Sequence, residues 1–405
     1  MRKLSIALGL LLTSAGVALA AGAGTPGVSS NEIVIGGTAP LTGEASSAAA
    51  VSQGASAYLD FVDAHGGVNG RKITYQIEDD AYDPPRTVLA VRKLVEQDHV
   101  FAIFNTLGTN NNLAVRDYLN ASKVPQLFVA SGANTWGADY KQYPWTIGYI
   151  PSYVLEGQVY AHYVLKNRPR AKIGVLYQDD DYGHDLLAGL RLGLGKKASL
   201  IKAQVGYDPK STDVSSEVQQ LKSSGADVFM VFAFGKFSVQ AMIQASKLGW
   251  RPKLVVVNAV SSSANLMTLA DLTGAKAITK GAVTVVFFKD PTDPKWKKDA
   301  GLALERTILK KYGPAGANAK DGYYVAGMAS AYTLVDALKR AGKSPTQASV
   351  MKAARSLDEP KNPFVLPGIL IKTSATDGFP MQQVALERWT KGHWSVFTGL
   401  LTAKS

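Results

Sequence analysis

Residues 101–136, FAIFNTLGTNNNLAVRDYLNASKVPQLFVASGANTW, decide the fold that we expect for this chain. The apolar runs at residues 101–104 and 126–129 are short enough to be buried strands, and residues 113–121 between them have the composition of a helix. A strand, a helix and a second strand in this order predict parallel pairing in an open α/β sheet.

Each of these two strands ends in a loop of small, hydroxyl and amide residues. Ligands of open α/β sheets bind at the carboxyl ends of the strands, and a helix N-terminus offers unpaired amides and a partial positive charge. The pattern predicts a cradle for a small anion, although the same residue types also form ordinary turns and caps. The loop residues expected to contact a ligand are Gly108, Thr109, Ala130, Ser131, Gly132, Ala133 and Asn134.

Length and composition predict an exported globular protein with two domains. The chain has 405 residues, of which 46% are hydrophobic and 19% charged, so one ordinary core is not expected. Residues 1–20 combine Arg2 and Lys3 with an apolar run and the small-x-small site Ala18-Leu19-Ala20, which predicts a cleaved signal peptide. Every later apolar segment is too short to span a bilayer.

Several functional classes are excluded by residue usage. The chain has no cysteine, which removes disulfides, thiolate chemistry, cysteine-bound metals and a lipid anchor, so we expect a soluble periplasmic protein. The net charge of +12 is dispersed over the sequence, and nucleic acid is therefore not an expected partner. The five histidines lack metal-ligand spacing, and no nucleotide or nucleophile motif has its required context, so neither a metal nor a cofactor is expected.

Strands and helices continue to alternate on both sides of the opening stretch. This alternation predicts an α/β fold with two doubly wound parallel-sheet lobes. The last two strands, at residues 383–389 and 393–397, are separated by Thr390-Lys391-Gly392 and predict a hairpin on the second lobe. The other strands are expected at residues 33–36, 72–78, 172–177, 200–205, 227–234, 254–258 and 283–288.

Five segments, by their order and spacing, carry a family resemblance. They are PLTGEAS (40–46), GGVNGRKI (66–73), EDDAYDPPRTVLAVRKLVEQD (78–98), VLYQDDDYGHDLLAGL (175–190) and SGADVFMVFAFGKFSVQAMIQASKLGW (224–250). Together they resemble the periplasmic leucine/isoleucine/valine-binding protein family, whose members are type I periplasmic binding proteins and substrate-binding subunits of ABC importers. The similarity runs from residue 33 to residue 394.

The resemblance implies two lobes joined by a hinge of three crossings, which can close around a ligand. The first lobe is expected to comprise residues 28–148 and 281–362. The second lobe is expected to comprise residues 149–280 and 363–405. The crossings are expected near residues 146–151, 277–283 and 363–367.

The resemblance also assigns roles to individual residues. Thr109 matches the position whose hydroxyl binds the ligand carboxylate, and Gly132 and Asn134 fall on a second contacting segment, with Asn134 replacing the usual threonine. Tyr153, Tyr182 and Phe234 match cleft positions that would cover the apolar part of a ligand. Among the acids at 179–181, we expect one carboxylate, Asp181, to face the cleft.

A second departure from the family pattern bears on the ligand. Amino-acid binders place a carboxylate after the next strand to hold the ligand ammonium, but residues 257–262 read VNAVSS. A buried ammonium without a counter-charge costs several kcal/mol. Unless Asp180 or Asp181 substitutes, a hydrophobic or aromatic carboxylate is therefore favoured over a branched-chain amino acid.

We expect this protein to capture a ligand without chemistry, as a monomeric substrate-binding subunit that delivers its ligand to an inner-membrane ABC permease. One alternative is a sensor module that passes its closed form to a membrane receptor. Another is an exported hydrolase that uses residues 179–181 with a metal ion.

Overall fold

The structure, a computed structural model, describes residues 24–404. The expected signal peptide lies outside this part of the chain. Within residues 24–404 no helix is both long and apolar enough to cross a membrane.

The first sheet is built by strands and helices that alternate along the first part of the described chain. These elements are β1 (Glu32–Ala39), α1 (Ala49–Asp63), β2 (Lys72–Asp79), α2 (Pro84–Arg92), β3 (Ile103–Phe104), α3 (Thr109–Ala121), β4 (Gln126–Val129), α4 (Thr135–Ala138) and β5 (Thr146–Gly148). The strands pair in parallel in the order β2-β1-β3-β4-β5. The order changes direction between β1 and β3, and such a switch point opens a crevice at the carboxyl ends of the strands.

The second sheet begins with a further run of alternating elements. They are α5 (Tyr153–Asn167), β6 (Ile173–Gln178), α6 (Asp181–Leu194), β7 (Ile201–Tyr207), α7 (Ser215–Ser223), β8 (Val228–Phe232), α8 (Lys236–Lys247), β9 (Leu254–Val257), α9 (Ala264–Ala270), α10 (Lys276–Thr279) and β10 (Val283–Val286). All residues of β8, β9 and β10 are buried, as expected for parallel strands that helices cover on both faces.

The remaining elements return to the first sheet and then complete the second. They are α11 (Ala300–Tyr312), α12 (Gly322–Ala341), α13 (Gln347–Ala354), β11 (Asp358–Glu359), β12 (Ile371–Lys372), β13 (Ala385–Thr390) and β14 (His393–Val396). Helix α12 packs closely on α1, since a Cβ atom at Gly54 would lie 2.4 Å from the Tyr324 carbonyl oxygen. The expected hairpin is confirmed, because β13 and β14 extend the second sheet in the order β14-β13-β10-β9-β8-β6-β7.

We call the five-stranded sheet with its helices the first lobe and the seven-stranded sheet with its helices the second lobe. Two of the expected crossings lie elsewhere. Strand β10 pairs with β9 and β13, so the second crossing follows Val286 instead of lying at residues 277–283. The expected lobe boundaries placed residues 281–286 in the first lobe. They lie in the second lobe because this apolar strand has hydrogen-bonded neighbours on both sides in the second sheet.

The third crossing also comes later than residues 363–367. That segment runs beside the second crossing, where the Leu366 amide donates to the Phe287 carbonyl at 2.9 Å. Strand β12 then pairs back to β11, which follows α13 in the first lobe. Gly378 remains in contact with Gly137 of the first lobe, so the chain reaches the second sheet only near β13.

Candidate ligand-binding site

A cavity of about 140 Å³ lies between the two lobes. Its first-lobe wall includes Gly108 and Thr109 at the start of α3 and Ala130 after β4. Its second-lobe wall includes Tyr182 and Phe234, which follow β6 and β8. The cavity therefore sits where the carboxyl ends of strands from both sheets face each other, as the loop pattern predicts.

Gly108 shapes the start of α3. Its φ angle is +102°, in the left-handed region that favours glycine. A Cβ atom here would also lie 2.4 Å from Asn111 Oδ1 and 2.8 Å from Tyr82 Cε2. Helix α3 consequently begins at Thr109, earlier than the predicted residue 113, and its unpaired first-turn amides lie beside the cavity.

The hydroxyl of Thr109 is oriented by Ser131. The two side-chain oxygens lie 2.7 Å apart. Ser131 Oγ also accepts hydrogen bonds from the Ala133 amide at 3.2 Å and from Trp136 Nε1 at 3.1 Å. Because two N–H donors occupy the acceptor sites of Ser131, its own hydrogen is available for Thr109 Oγ1. The hydrogen of Thr109 is then free to donate into the cavity.

Aromatic rings form the opposite wall. Tyr153 and Tyr182 meet edge to face with ring centroids 5.0 Å apart. Tyr82 of the first lobe stacks on Phe234 of the second lobe, also at 5.0 Å. These rings are buried or nearly so, and burial raises the pKa of Tyr153 and Tyr182, which are therefore neutral at physiological pH. The wall offers apolar faces with few charges.

Asn258 and Asp180 are already used by the protein. Oriented to satisfy its neighbours, the Asn258 amide donates to the Val231 and Ala233 carbonyls at 3.0 Å and accepts from the Tyr182 hydroxyl at 2.8 Å. Asp180 caps α6 and also accepts from Gln178 Nε2 at 2.6 Å. Neither side chain offers a free acceptor for a ligand ammonium.

Several hydrogen bonds join the two lobes across the cleft. Asp185 accepts from the Asn134 backbone amide at 2.7 Å, and Asn110 Nδ2 donates to Asp180 Oδ2 at 3.2 Å. Asp321, the residue before α12, accepts from Ser263 at 3.1 Å and from Asn265 at 2.8 Å, both in the second lobe. These bonds hold the two lobes in contact across the cleft.

Six of the eleven predicted site residues line this cavity, namely Gly108, Thr109, Ala130, Tyr153, Tyr182 and Phe234. Ser131 lies directly behind Thr109, and Asn134 contributes its backbone amide to Asp185 and its side-chain oxygen to Ser152 Oγ. Gly132 and Ala133 lie between them along the chain, and the Gly132 carbonyl accepts from the Tyr153 amide at 2.7 Å. Asp181 is exposed and outside the cavity wall; it is the first residue of α6, and Asp180 before it is the residue that caps this helix.

The family follows from a match to the whole two-lobed region. Residues 32–393 match the family model described as "Periplasmic binding protein". The chain belongs to the periplasmic binding protein family. Members of this family are periplasmic substrate-binding proteins.

Known proteins are similar to this chain over most of its length. A Leu/Ile/Val-binding protein homolog 8 from Brucella suis biovar 1 is 25% identical over 359 residues, which are 87% of this chain and 86% of the homolog. A branched chain amino acid ABC transporter protein from Thermus thermophilus, solved with bound valine, has a TM-score of 0.80 at 16% identity and covers 92% of this chain and 97% of its own. A solute binding protein of an ABC transporter from Rhodopseudomonas palustris BisB5, solved with 3,4-dihydroxy benzoic acid, has a TM-score of 0.74 at 18% identity and covers 92% and 98%.

This periplasmic binding protein also brings residues to the cavity that the sequence reasoning missed. The most distinctive are three charged residues, Lys289, Asp290 and Glu387. Burial raises the pKa of Asp290 to about 6. Burial and the nearby Asp290 and Asp293 raise the pKa of Glu387 well above its usual range. The sequence signal that could have identified Glu387 is that it is the single acid of β13, at a buried position between Ala385 and Trp389.

Proposed function

We propose that this protein captures a small hydrophobic or aromatic carboxylate in the interlobe cavity and delivers it unchanged to an inner-membrane ABC permease of the branched-chain amino-acid transport type. The observation that carries the proposal is the pairing of an oriented hydroxyl and helix-start amides on one lobe with an aromatic wall on the other. Nothing in this arrangement requires a bond to be made or broken.

The anionic end of the ligand fits the first lobe. A carboxylate beside Thr109 would accept the hydroxyl hydrogen that Ser131 leaves available, as well as first-turn amides of α3. Charge-assisted hydrogen bonds of this kind are roughly twice as strong as neutral ones. The positive end of the helix dipole adds to the attraction for an anion.

The body of the ligand fits the aromatic wall. A cavity of about 140 Å³ is close to the size of roughly 150 Å³ at which an apolar cavity in another protein holds benzene. Ring pairing with Tyr153, Tyr182 or Phe234 would add about 0.5–1.5 kcal/mol per pair beyond buried area. A single aromatic ring therefore suits the space.

An α-amino acid fits less well. The acceptors of Asn258 and Asp180 are occupied by protein donors, so an α-ammonium next to the carboxylate would find no free acceptor on either side chain. For this reason we rank aromatic carboxylates above leucine-type amino acids. The solved relatives with valine and with 3,4-dihydroxy benzoic acid supply both ligand classes as candidates.

The ranking is tested by a thermal-shift screen followed by calorimetric titration of the mature protein. We expect stabilisation by benzoate- or cinnamate-type acids and none by leucine, isoleucine or valine. Stabilisation by the amino acids alone would reverse the ranking. Metal-dependent turnover of any member of the panel would contradict the proposal of capture without chemistry.

A further inference from the structure

Glu387 is a buried acid on the cavity wall, and one of its two carboxyl oxygens has no hydrogen-bond partner in the described part of the chain. Its side chain is on β13, in register with Thr284 of β10, and the residue is 2% exposed. Its Oε2 atom is buried and has no hydrogen-bond partner among the residues that the structure describes. Most buried side-chain polar atoms in proteins are hydrogen-bonded, so this atom needs an explanation.

Among the described residues that line the cavity, no free cation is available to neutralise Glu387. Lys289 is the basic residue on the wall, but its Nζ donates to both carboxylate oxygens of Asp299, at 2.8 and 2.9 Å, and to the Pro363 carbonyl at 2.8 Å. An ammonium has three donors, so none remains for Glu387. The other charged residue on the wall, Asp290, adds negative character.

A metal site does not account for the unpaired oxygen of Glu387, and Glu387 also differs from the other buried glutamates. Within residues 24–404 no group of three or more acids and histidines is placed to hold a metal ion, so Glu387 is not part of a metal site there. Two other buried glutamates, Glu305 and Glu359, also have unpaired oxygens, but neither lies on the cavity wall. The distinguishing feature of Glu387 is its place on the cavity wall.

We propose that Glu387, with Asp290 near it, forms a subsite that accepts a hydrogen bond from a hydroxyl or amino group at the end of the ligand remote from its carboxylate. This inference rests on the proposed function, since Thr109 of the opposite lobe fixes the carboxylate. The ligand class is thereby narrowed to small aromatic carboxylates that carry a distal hydrogen-bond donor.

The chemistry of the subsite discriminates between distal groups. A hydroxyl or amine supplies the donor that Oε2 lacks, while a methyl group of similar size leaves it unpaired. A second carboxylate would bring a further negative charge to a cluster of acids, and a nitro group offers only acceptors, which the protonated form of Glu387 alone could use. Sites built to bind a hydroxyl reject analogues without it strongly, because their own polar groups then stay buried and unpaired.

The test is calorimetric titration of the mature protein with matched benzoates and cinnamates substituted at the para position with hydroxyl, amino, methyl or nitro. Using two acid lengths allows for the distance between the lobes. For wild type we expect the hydroxyl or amino compound to bind at least tenfold more tightly than its methyl counterpart. A para-aminomethyl compound, which carries a charged ammonium, compares the binding of a cation with that of the neutral hydroxyl and amino donors.

Variants of Glu387 test whether this residue causes the preference for the hydroxyl compound over the methyl compound. Glu387→Leu should reduce the hydroxyl-to-methyl ratio to within about twofold, whereas Glu387→Gln, which keeps a side-chain oxygen, should retain most of it. Thr109→Ala is the matched control, because it should weaken both compounds by the same factor and leave the ratio unchanged. A preserved ratio in folded Glu387→Leu would overturn the assignment.

If a variant fails to fold, titration of the wild-type protein with the hydroxyl and methyl compounds still tests the subsite. Equal binding of the hydroxyl and methyl compounds would overturn the subsite and leave the proposed function standing. If no aromatic carboxylate binds while an amino acid does, the proposed function fails and the subsite fails with it.

Discussion

The side-chain oxygens of Thr109 and Ser131 lie 2.7 Å apart, although the residues belong to different loops of the first lobe. Ser131 is in turn held by the Trp136 indole N–H at 3.1 Å. This chain of contacts fixes the Thr109 hydroxyl before a ligand arrives. Preorganised donors of this kind improve affinity because little ordering is required on binding.

Thr109→Ala should weaken binding of a carboxylate ligand tenfold or more, which is about 1.4 kcal/mol. The substitution removes the one side-chain hydroxyl that Ser131 directs toward the cavity, whereas Thr109→Ser keeps it and serves as the control. Calorimetric titration measures both. An unchanged affinity in Thr109→Ala would remove this residue from the site.

Asp185→Ala should weaken ligand binding without altering the cavity wall. Asp185 links the lobes through the Asn134 amide, so its loss favours the open form, and apparent affinity falls with the fraction of competent protein. We expect a loss of roughly three- to tenfold, the size of one net hydrogen bond.

Asp179→Ala is the control for this link, since Asp179 pairs with His184 inside the second lobe. Both variants are measured by titration and by the ligand dissociation rate. Equal affinities for the two variants would show that the bond to Asn134 does not contribute to closure.

Glu305→Gln should raise stability at pH 8 and leave it nearly unchanged at pH 5. Glu305 is fully buried, neither of its oxygens has a partner in the described chain, and burial raises its pKa from 4.5 to about 8. The folded state therefore binds the proton more tightly than the unfolded state, and the free energy of unfolding falls as pH rises from about 4.5 to about 8.

The expected difference at pH 8 is roughly 3–4 kcal/mol, seen as a higher Tm by scanning calorimetry. Glu96→Gln, at an exposed position of the first lobe, is the control. The same Tm for Glu305→Gln and wild type at pH 8 would mean that the charged form of Glu305 finds solvent or a partner.

Local sequence patterns could predict the strand-end loops of the site. Gly108 and Thr109 follow an apolar strand of a parallel sheet, and topology brings such positions together, whereas Tyr182 and Phe234 were assigned through the family resemblance. Asp181 is outside the cavity wall and Asp180 before it caps α6, because only the backbone geometry decides which of three consecutive aspartates takes that role.

Long-range pairing could not be derived from the sequence in the same way. Strand β10 and the segment 363–367 are apolar or proline-rich, and their local patterns are compatible with either lobe. Glu387 reaches the cavity only because β13 joins β10 in one particular antiparallel register. A shift of one residue would have turned its side chain to the other face of the sheet.

Small-angle X-ray scattering measures whether the two lobes close around a carboxylate. With a saturating ligand chosen from the titration panel, we predict a smaller radius of gyration than for the ligand-free mature protein. A radius of gyration that is unchanged by a ligand known to bind would contradict capture between the lobes.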